Sequence, residues 1–473
     1  MPSTGLGGKV LQKRTLLVGI LVVMVVTAAA LIIGLGRSGE EHDGKGDPDR
    51  DVAGARIAAF HGKAVRQSTV QAAATTTGFD SERLWGTGDD WEPAIAVDPS
   101  SSYVYQVTTR YGGPKACNSC SDPAIIVRRS SDGGATWGAD TYICACKNVK
   151  AQNDPQLAVA SDGTLYAAWL NDYQPGVVFS KSTDHGATWS TPKSVEGKSL
   201  SFSDKPILVI SPTGKDVYIA FNSSDSYVVA SHDFGATWGT RVKTNSDSLY
   251  WFAEGGAVAP NGYVYFSESA ENQSATGPVK LAVLRSTNGG TSWTTTFIDT
   301  SQQQPACTAD GCTNDFLGPQ AMLSVDSAGK VLVAYTLNTT AGAPKGLYVR
   351  TSADGATWSA RQQLNGLGDS GFPVVSHGPT AGDFRVAWQD NRNGAAAYNT
   401  WYTRTTNGGG SWSSAVRLSD LGSGAPYKTA AGYAFPYGDY FEMETAPSGV
   451  NYVIWSEGTS YVGPGGSWYT KGQ

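Results

Sequence analysis

The chain has 473 residues, of which 16% are charged, and it carries 57 Gly, 14 Trp and 22 Tyr with a formal net charge of -6. This composition is typical of β-rich proteins with many tight turns. The acidic balance argues against a nucleic-acid partner, because nucleic acid is bound by a basic face. The length argues against one ordinary compact domain and favours repeats or several domains.

The first element in chain order is an uncharged stretch at residues 15–36, which follows three basic residues. It is long enough to cross a bilayer as a helix, and the basic residues are expected to stay on the cytoplasmic side. We predict a cytoplasmic N-terminus at 1–14, a single-pass transmembrane signal-anchor at 15–36, and an extracytoplasmic remainder at the cell membrane. The alternative is a cleaved signal peptide and a secreted protein, because 28–30 offers a small-residue cleavage site.

Residues 37–78 are predicted to form a flexible stalk, because they are first charged and Gly/Pro-containing and then Ala- and Thr-rich, without apolar periodicity. The remaining residues, 79–473, are predicted to form the folded domain. The oligomeric state stays open at this point.

All six cysteines follow the predicted anchor, which indicates three disulfides in an oxidising compartment. They are Cys117, Cys120, Cys144, Cys146, Cys307 and Cys312. Cys307 and Cys312 share one loop and are expected to pair with each other, while the pairing of the other four stays open. A zinc site of the CxxC…CxC type is the alternative for those four.

An eight-residue pattern recurs six times, once with one residue missing, and its Trp residues are 52, 49, 55, 65 and 54 residues apart. The copies are SSDGGATW at 130–137, STDHGATW at 182–189, SHDFGATW at 231–238, STNGGTSW at 286–293, SADGATW at 352–358 and TTNGGGSW at 405–412. Regular repeats of this length indicate a propeller or another repeat architecture.

This pattern resembles the Asp box of the sialidase/BNR-repeat β-propeller superfamily, so the domain looks exo-alpha-sialidase-like. In each copy the Asp or Asn side chain is expected to bond backbone amides of its own turn, the Gly to supply a left-handed conformation, and the Trp to pack between sheets. Four aspartates are therefore predicted to be structural rather than catalytic: Asp132, Asp184, Asp233 and Asp354.

A hairpin of two alternating strands also recurs, seven times between Glu92 and the C-terminus. Each of the first six hairpins is followed by a third strand, a box and a fourth strand, which is the pattern of a propeller blade. The seventh unit lacks its fourth strand, and the chain near 79–85 is expected to supply it and close the ring. We predict an all-β, seven-bladed propeller; six blades, the number in sialidases, is the alternative.

The first strand of a propeller blade lines the central channel, so the loops that lead into these strands share the face opposite the boxes. Acids there suit acid and base roles in glycoside cleavage, and aromatic planes suit stacking on sugar rings. The predicted catalytic residues are Glu92, Asp154, Glu254, Asp439 and Tyr437, and the predicted substrate-binding residues are Arg110, Arg392, Trp91, Trp251 and Tyr440. The competing interpretation is that these acids only cap turns.

The resemblance implies sialidase chemistry, with three Arg on the substrate carboxylate, a Tyr nucleophile assisted by Glu, and an Asp acid. The first Arg of that family lies in an F/Y-R-I-P motif, and here the nearest equivalent is Trp91-Glu92-Pro93. We therefore keep two functions open: a cell-surface glycoside hydrolase or polysaccharide lyase, and a non-catalytic propeller that binds glycan or protein. No cofactor or metal ligand is predicted, with Ca²⁺ held by loop carboxylates as the alternative.

Overall fold

The structure is a computed structural model that describes residues 78–85, 89–172, 176–197, 200–274, 276–303, 318–394, 398–419, 428–429, 432–433, 441–457 and 466–473. Within these ranges the regular elements are strands, and no helix is long and apolar enough to span a membrane. The predicted N-terminus at 1–14, the anchor at 15–36 and all of the predicted stalk except residue 78 lie outside the described residues.

Seven four-stranded antiparallel sheets form the domain, and we number them blades 1 to 7. The first strand of the described residues is β1 (Arg83–Trp85). Blade 1 has β2 (Asp89–Val97), β3 (Val104–Tyr111), β4 (Ala124–Ser130) and β5 (Thr141–Tyr142); blade 2 has β6 (Gln152–Val159), β7 (Leu165–Asn171), β8 (Val177–Ser182) and β9 (Lys193–Ser194). Blade 3 has β10 (Asp204–Ile210), β11 (Val217–Ser223), β12 (Asp225–Ser231) and β13 (Val242–Lys243); blade 4 has β14 (Tyr250–Val258), β15 (Val264–Glu271), β16 (Val279–Ser286) and β17 (Thr294–Ser301). Blade 5 has β18 (Ala321–Val325), β19 (Val331–Leu337), β20 (Gly346–Ser352) and β21 (Gln362–Asn365); blade 6 has β22 (Ser370–His377), β23 (Phe384–Asp390), β24 (Asn399–Thr405) and β25 (Val416–Arg417). A short hairpin of β26 (Lys428–Thr429) and β27 (Gly432–Tyr433) precedes β28 (Glu442–Thr445), β29 (Asn451–Glu457) and β30 (Gly466–Gly472) of blade 7.

Blade 7 is completed by the N-terminal strand, because its sheet has the order β1-β30-β29-β28. Arg83 pairs with Tyr469 and Trp85 with Ser467. The closing strand predicted near residues 79–85 is therefore confirmed, and so are seven blades; the six-bladed alternative is wrong. Pairing β1 with β30 joins the first and last described strands in one sheet and closes the ring.

The apolar core lies between neighbouring blades rather than inside one sheet. Between blades 1 and 2, for example, Tyr105 and Val107 of β3 pack in one cluster with Trp169 of β7. Both faces of the second strands are buried, as in the pattern of Leu165–Asn171. The ring is stable because each sheet removes apolar surface of both its neighbours from water.

The eight-residue turns join the third and fourth strands and have the hydrogen bonds expected of them. The Asp132 carboxylate accepts bonds from Ser130 Oγ at 2.7 Å and from the Thr136 amide at 2.8 Å, and Ser130 Oγ accepts the Gly134 amide at 2.8 Å. Bonds from the Thr136 hydroxyl, the Thr136 amide and the Ser130 hydroxyl hold the pKa of Asp132 well below its usual range. The structural role predicted for this aspartate is thus confirmed, and Trp137 packs edge-on against Tyr469 of blade 7 at 5.3 Å between ring centroids.

Candidate functional site

The first strands of five blades begin with a break in the regular register, at the face opposite the eight-residue turns. In four of these blades the break contains a residue other than Gly, in the left-handed backbone region and directly before a proline. These residues are Glu92 with φ 56°, Asp154 with φ 53°, Lys205 with φ 49° and Phe372 with φ 49°. We call these four residues the mouth ring, because the first strands surround the central channel.

The mouth ring is a strained arrangement. A left-handed conformation costs an ordinary residue about 1–2 kcal/mol, and a following proline restricts the residue before it further. Two predicted catalytic residues, Glu92 and Asp154, occupy equivalent positions of adjacent blades, and their residues are 3% and 6% exposed. Repeated backbone strain of this kind is found at functional sites, where the surrounding structure maintains it.

The predicted catalytic residue Glu254 connects two blades. Its carboxylate accepts bonds from Ser269 Oγ at 2.6 Å and from the Ala321 amide of blade 5. Gln320 accepts the Phe372 amide of blade 6 in the same way, at 3.1 Å. The innermost strand of a blade has an unpaired edge toward the channel, so its amides need such acceptors.

Two acids of the channel wall, Glu442 and Glu444, were not identified from the sequence. Glu442 reaches three blades, because it projects from β28 of blade 7 and accepts bonds from the Ile95 amide and from Gln156 Nε2, both at 3.0 Å. It keeps some exposed area although protein atoms surround it densely. Both features are expected of a side chain on the wall of a narrow channel.

Burial raises the pKa of Glu442 to about 8, with a contribution from the charge of Glu444. Burial also raises the pKa of Glu444 to about 7. Glu442 is therefore largely protonated at neutral pH and can donate a proton. A signal was present in the sequence, because EMET at 442–445 places two acids on one side of an innermost strand.

The two arginines predicted to bind substrate both lie in ion pairs. Arg110 bonds Asp90 through Nε at 2.6 Å and Asp140 through Nη1 at 2.6 Å. Arg392 bonds both oxygens of Asp390 and stacks on Trp401, 3.8 Å from the ring centroid. These contacts give both guanidinium groups structural partners within blades 1 and 6.

The two tryptophans predicted to stack on sugar are each 1% exposed. Trp91 packs on Tyr111, with ring centroids 4.6 Å apart. Trp251 donates from Nε1 to Asp247 at 2.8 Å. Neither ring plane is presented to the channel or to solvent, while the other three predicted residues, Tyr437, Asp439 and Tyr440, lie outside the described residues.

Four of the six cysteines form two disulfides, Cys117–Cys120 and Cys144–Cys146. These four therefore pair among themselves as predicted, each with its neighbour in sequence, and the zinc alternative is not what the structure shows for them. Cys307 and Cys312 lie outside the described residues. Across the described ranges, no group of three or more His, Cys, Asp or Glu is arranged to hold a metal ion.

No family model matches this chain, and no curated protein matches it. Among solved structures, a protein of unknown function from Dyadobacter fermentans is similar at 13% identity and TM-score 0.47, covering 82% of this chain and 97% of its own. A Penicillium chrysogenum alpha-L-arabinanase has 12% identity and TM-score 0.45, with 85% and 98% covered. A Trypanosoma rangeli sialidase has 12% identity and TM-score 0.42, with 85% and 59% covered. At these values the likeness does not bear on activity.

Proposed function

We propose that the protein is a glycan-binding propeller in which the polar residues of the mouth ring, Glu92, Asp154 and Lys205, contact the sugar, while Phe372 packs in the core. One observation carries this proposal: four residues of different chemistry adopt the same strained conformation at equivalent positions around the channel. A ring closed only for stability would favour Gly at such positions, because Gly adopts the left-handed region without a steric cost. The strain therefore supports selection for side chains that a ligand uses.

The charge of this region favours a neutral or basic sugar over an anionic one. The mouth ring and the wall beneath it carry the carboxyl groups of Glu92, Asp154 and Glu254. The wall acids Glu442 and Glu444 add less negative charge, because burial favours their protonated forms. Lys205 is the cation among the ring residues. A sialic or uronic acid would meet this acidic surface, and Arg110 and Arg392 already have carboxylate partners.

The test is binding of the full-length protein to an array of neutral, amino and anionic glycans. Glu92→Gln is expected to weaken binding of the selected glycan by about tenfold or more, the value of a hydrogen bond to a charged group. Asp132→Asn on the opposite face is the matched control and is expected to bind normally. Unchanged binding by Glu92→Gln and Asp154→Asn would refute this site.

A second candidate function is glycoside hydrolysis, and the raised pKa of Glu442 favours it. A glycosidase needs one carboxyl that keeps its proton near neutral pH and a second that is ionised. Glu442 fits the first role, and Asp154, on the same strand as the Glu442 partner Gln156, is a candidate for the second. Glu442→Gln is expected to reduce hydrolysis by about 100-fold with binding retained. Hydrolysis that persists in this variant would exclude Glu442 as the acid.

We also propose kinship with Asp-box propellers and a location at the cell membrane. The hydrogen bonds of the eight-residue turns support kinship with Asp-box propellers, and the apolar stretch at 15–36 supports anchoring in the membrane. Ca²⁺ held by loop carboxylates is a further proposal. Carbonate-resistant membrane association of the full chain, lost on deletion of residues 1–36, tests the anchor, and release of the intact chain as a secreted protein would contradict it.

A further inference from the structure

The two disulfides of blade 1 lie side by side on the face that carries the mouth ring. Cys117–Cys120 is in the loop between β3 and β4, and Cys144–Cys146 follows β5. The loops are joined by a bridge between Cys120 and Lys147 and by a bond from the Asn148 amide to Ser119 O at 3.0 Å. Cys146 thus directly precedes Lys147, whose backbone pairs with that of Cys120 in the β-bridge.

These disulfides are poorly suited to a purely structural role. They span sequence separations of 3 and 2 residues, and the stabilisation that a disulfide gives by restricting the unfolded chain grows with the length of the closed loop. A link between Cys120 and Cys146 would restrict the unfolded chain more. The loops are also held together by backbone bonds that do not need sulfur, including Asp122 N to Lys150 O at 3.1 Å.

The surroundings favour thiolates. Lys115, Lys147 and Lys150 flank the cysteines and are exposed, while Cys117, Cys144 and Cys146 are half-buried. Ser119 Oγ lies 3.7 Å from Cys117 Sγ and can donate to a thiolate there. Two acids are nearby: Asp122 pairs with Lys115 at 3.5 Å, and Asp172 accepts the Lys150 amide at 2.8 Å. Partly exposed cysteines in cationic surroundings are the reactive ones, and exposed disulfides are the exchangeable ones.

We propose that these four cysteines form a thiol–disulfide exchange site for dithiol substrates. A substrate thiolate attacks one sulfur of Cys144–Cys146, which forms a mixed disulfide and releases the other cysteine as a thiolate. The second substrate thiolate then attacks the mixed disulfide, so the substrate leaves oxidised and the protein keeps a reduced Cys144/Cys146 pair. Two electrons pass from substrate to protein, and oxidised glutathione can restore the disulfide.

The test uses the oxidised full-length protein with dithiothreitol as substrate and oxidised glutathione as terminal oxidant. Catalytic amounts are expected to accelerate formation of oxidised dithiothreitol, and Cys144→Ser/Cys146→Ser should lose this acceleration while near-UV circular dichroism shows a folded domain. Lys147→Gln should slow it by about threefold to tenfold, because the thiolate loses a neighbouring cation. Lys215→Gln, an exposed lysine of blade 3, is the matched control and should not slow it.

Alkylation and mass spectrometry of the quenched reaction identify the sulfurs involved. The proposal predicts reduction of Cys144–Cys146 in the folded protein and a glutathione adduct on Cys144 in the Cys146→Ser variant. Disulfides that resist reduction until the domain unfolds would overturn it. Tight, stoichiometric zinc binding by the reduced cysteines, without accelerated exchange, would overturn it as well.

Discussion

The two faces of the ring use the same residue types in opposite ways. On the face of the eight-residue turns, the Asp184 carboxylate is partly exposed, and hydrogen bonds from Thr188 and Ser182 lower its pKa to about 2. In the interior and toward the mouth, burial raises the pKa of Glu442 and Glu268 to about 8. The turn carboxylate is therefore a fixed hydrogen-bond acceptor, whereas Glu442 and Glu268 retain protons near neutral pH.

The two faces also differ in which residues adopt the left-handed backbone conformation. In the turns the second such position is always glycine: Gly134, Gly186, Gly235, Gly290, Gly409 and, in the short copy, Gly355. At the mouth the left-handed positions hold Glu92, Asp154, Lys205 and Phe372. Two turns also hold a left-handed residue other than Gly at their first position, His185 and Phe234, so strain occurs on both faces. The faces differ in that every turn has Gly at its last left-handed position, whereas each mouth-ring position keeps a residue other than Gly.

The largest expected effect concerns Glu268, which is fully buried between blades 3 and 4 and accepts a bond from Ser226 Oγ at 2.7 Å. Its pKa is raised from 4.5 to about 8, so the folded state binds the proton more tightly than the unfolded state does. Stability contributed by this group is full at acid pH and is lost as the pH rises between these values, by roughly 4 kcal/mol. Chemical denaturation across pH 5–9 should show this fall.

Glu268→Gln is expected to flatten that pH dependence, because the amide does not titrate. Asn222, the cross-strand neighbour of Ser226, has a fully buried amide without a protein partner in the described structure, so water is expected to share this space. A slope that is unchanged in Glu268→Gln would show that this carboxyl does not hold its proton in the folded protein.

The next effect concerns the glycine of a turn. Gly134 has φ 75°, and a Cβ there would collide with the Tyr469 hydroxyl of blade 7. Gly134→Ala should lower the free energy of unfolding by about 2 kcal/mol or more, from strain and collision together. Gly262→Ala is the matched control, because Gly262 has φ 82° but no atom within 4 Å of the added Cβ. If both variants lose the same free energy of unfolding, the collision with Tyr469 does not contribute to the effect of Gly134→Ala.

The fold was largely predictable because its signals are local. Each turn places a Trp, a Gly and an Asp or Asn within eight residues, and each hairpin shows in the alternation of apolar and polar residues close together in sequence. The site was less predictable because its contacts are remote in sequence. Nothing near Arg110 reveals that Asp90 and Asp140 engage it, and the position of Glu442 beside Gln156, 286 residues away, depends on ring closure.

A smaller effect compares two substitutions of one mouth residue. Glu92→Gly and Glu92→Ala both remove the carboxylate, but only Gly adopts φ near 56° without strain. Glu92→Gly should be more stable than Glu92→Ala by about 1 kcal/mol, while both variants lose glycan binding to a similar extent. Denaturant midpoints measure the first quantity and array binding the second. A Gly variant no more stable than the Ala variant would contradict strain at the mouth.

The smallest effect is expected at Asp132. Asn288 and Asn407 make the equivalent bonds in other turns, to the Ser292 and Ser411 amides at 3.0 and 2.9 Å, so Asp132→Asn should leave the melting temperature at neutral pH nearly unchanged. Asp132→Ala, which lacks the acceptor, should lower it. The lowered pKa of Asp132 means that its stabilising contribution is present above the ordinary aspartate pKa and is lost as the pH falls through the lowered value. Asp132→Asn should therefore lose less stability than the parent on acidification toward about pH 2. If both proteins respond identically to acid, the charge of this turn contributes nothing, and the contrast between the two faces reduces to burial alone.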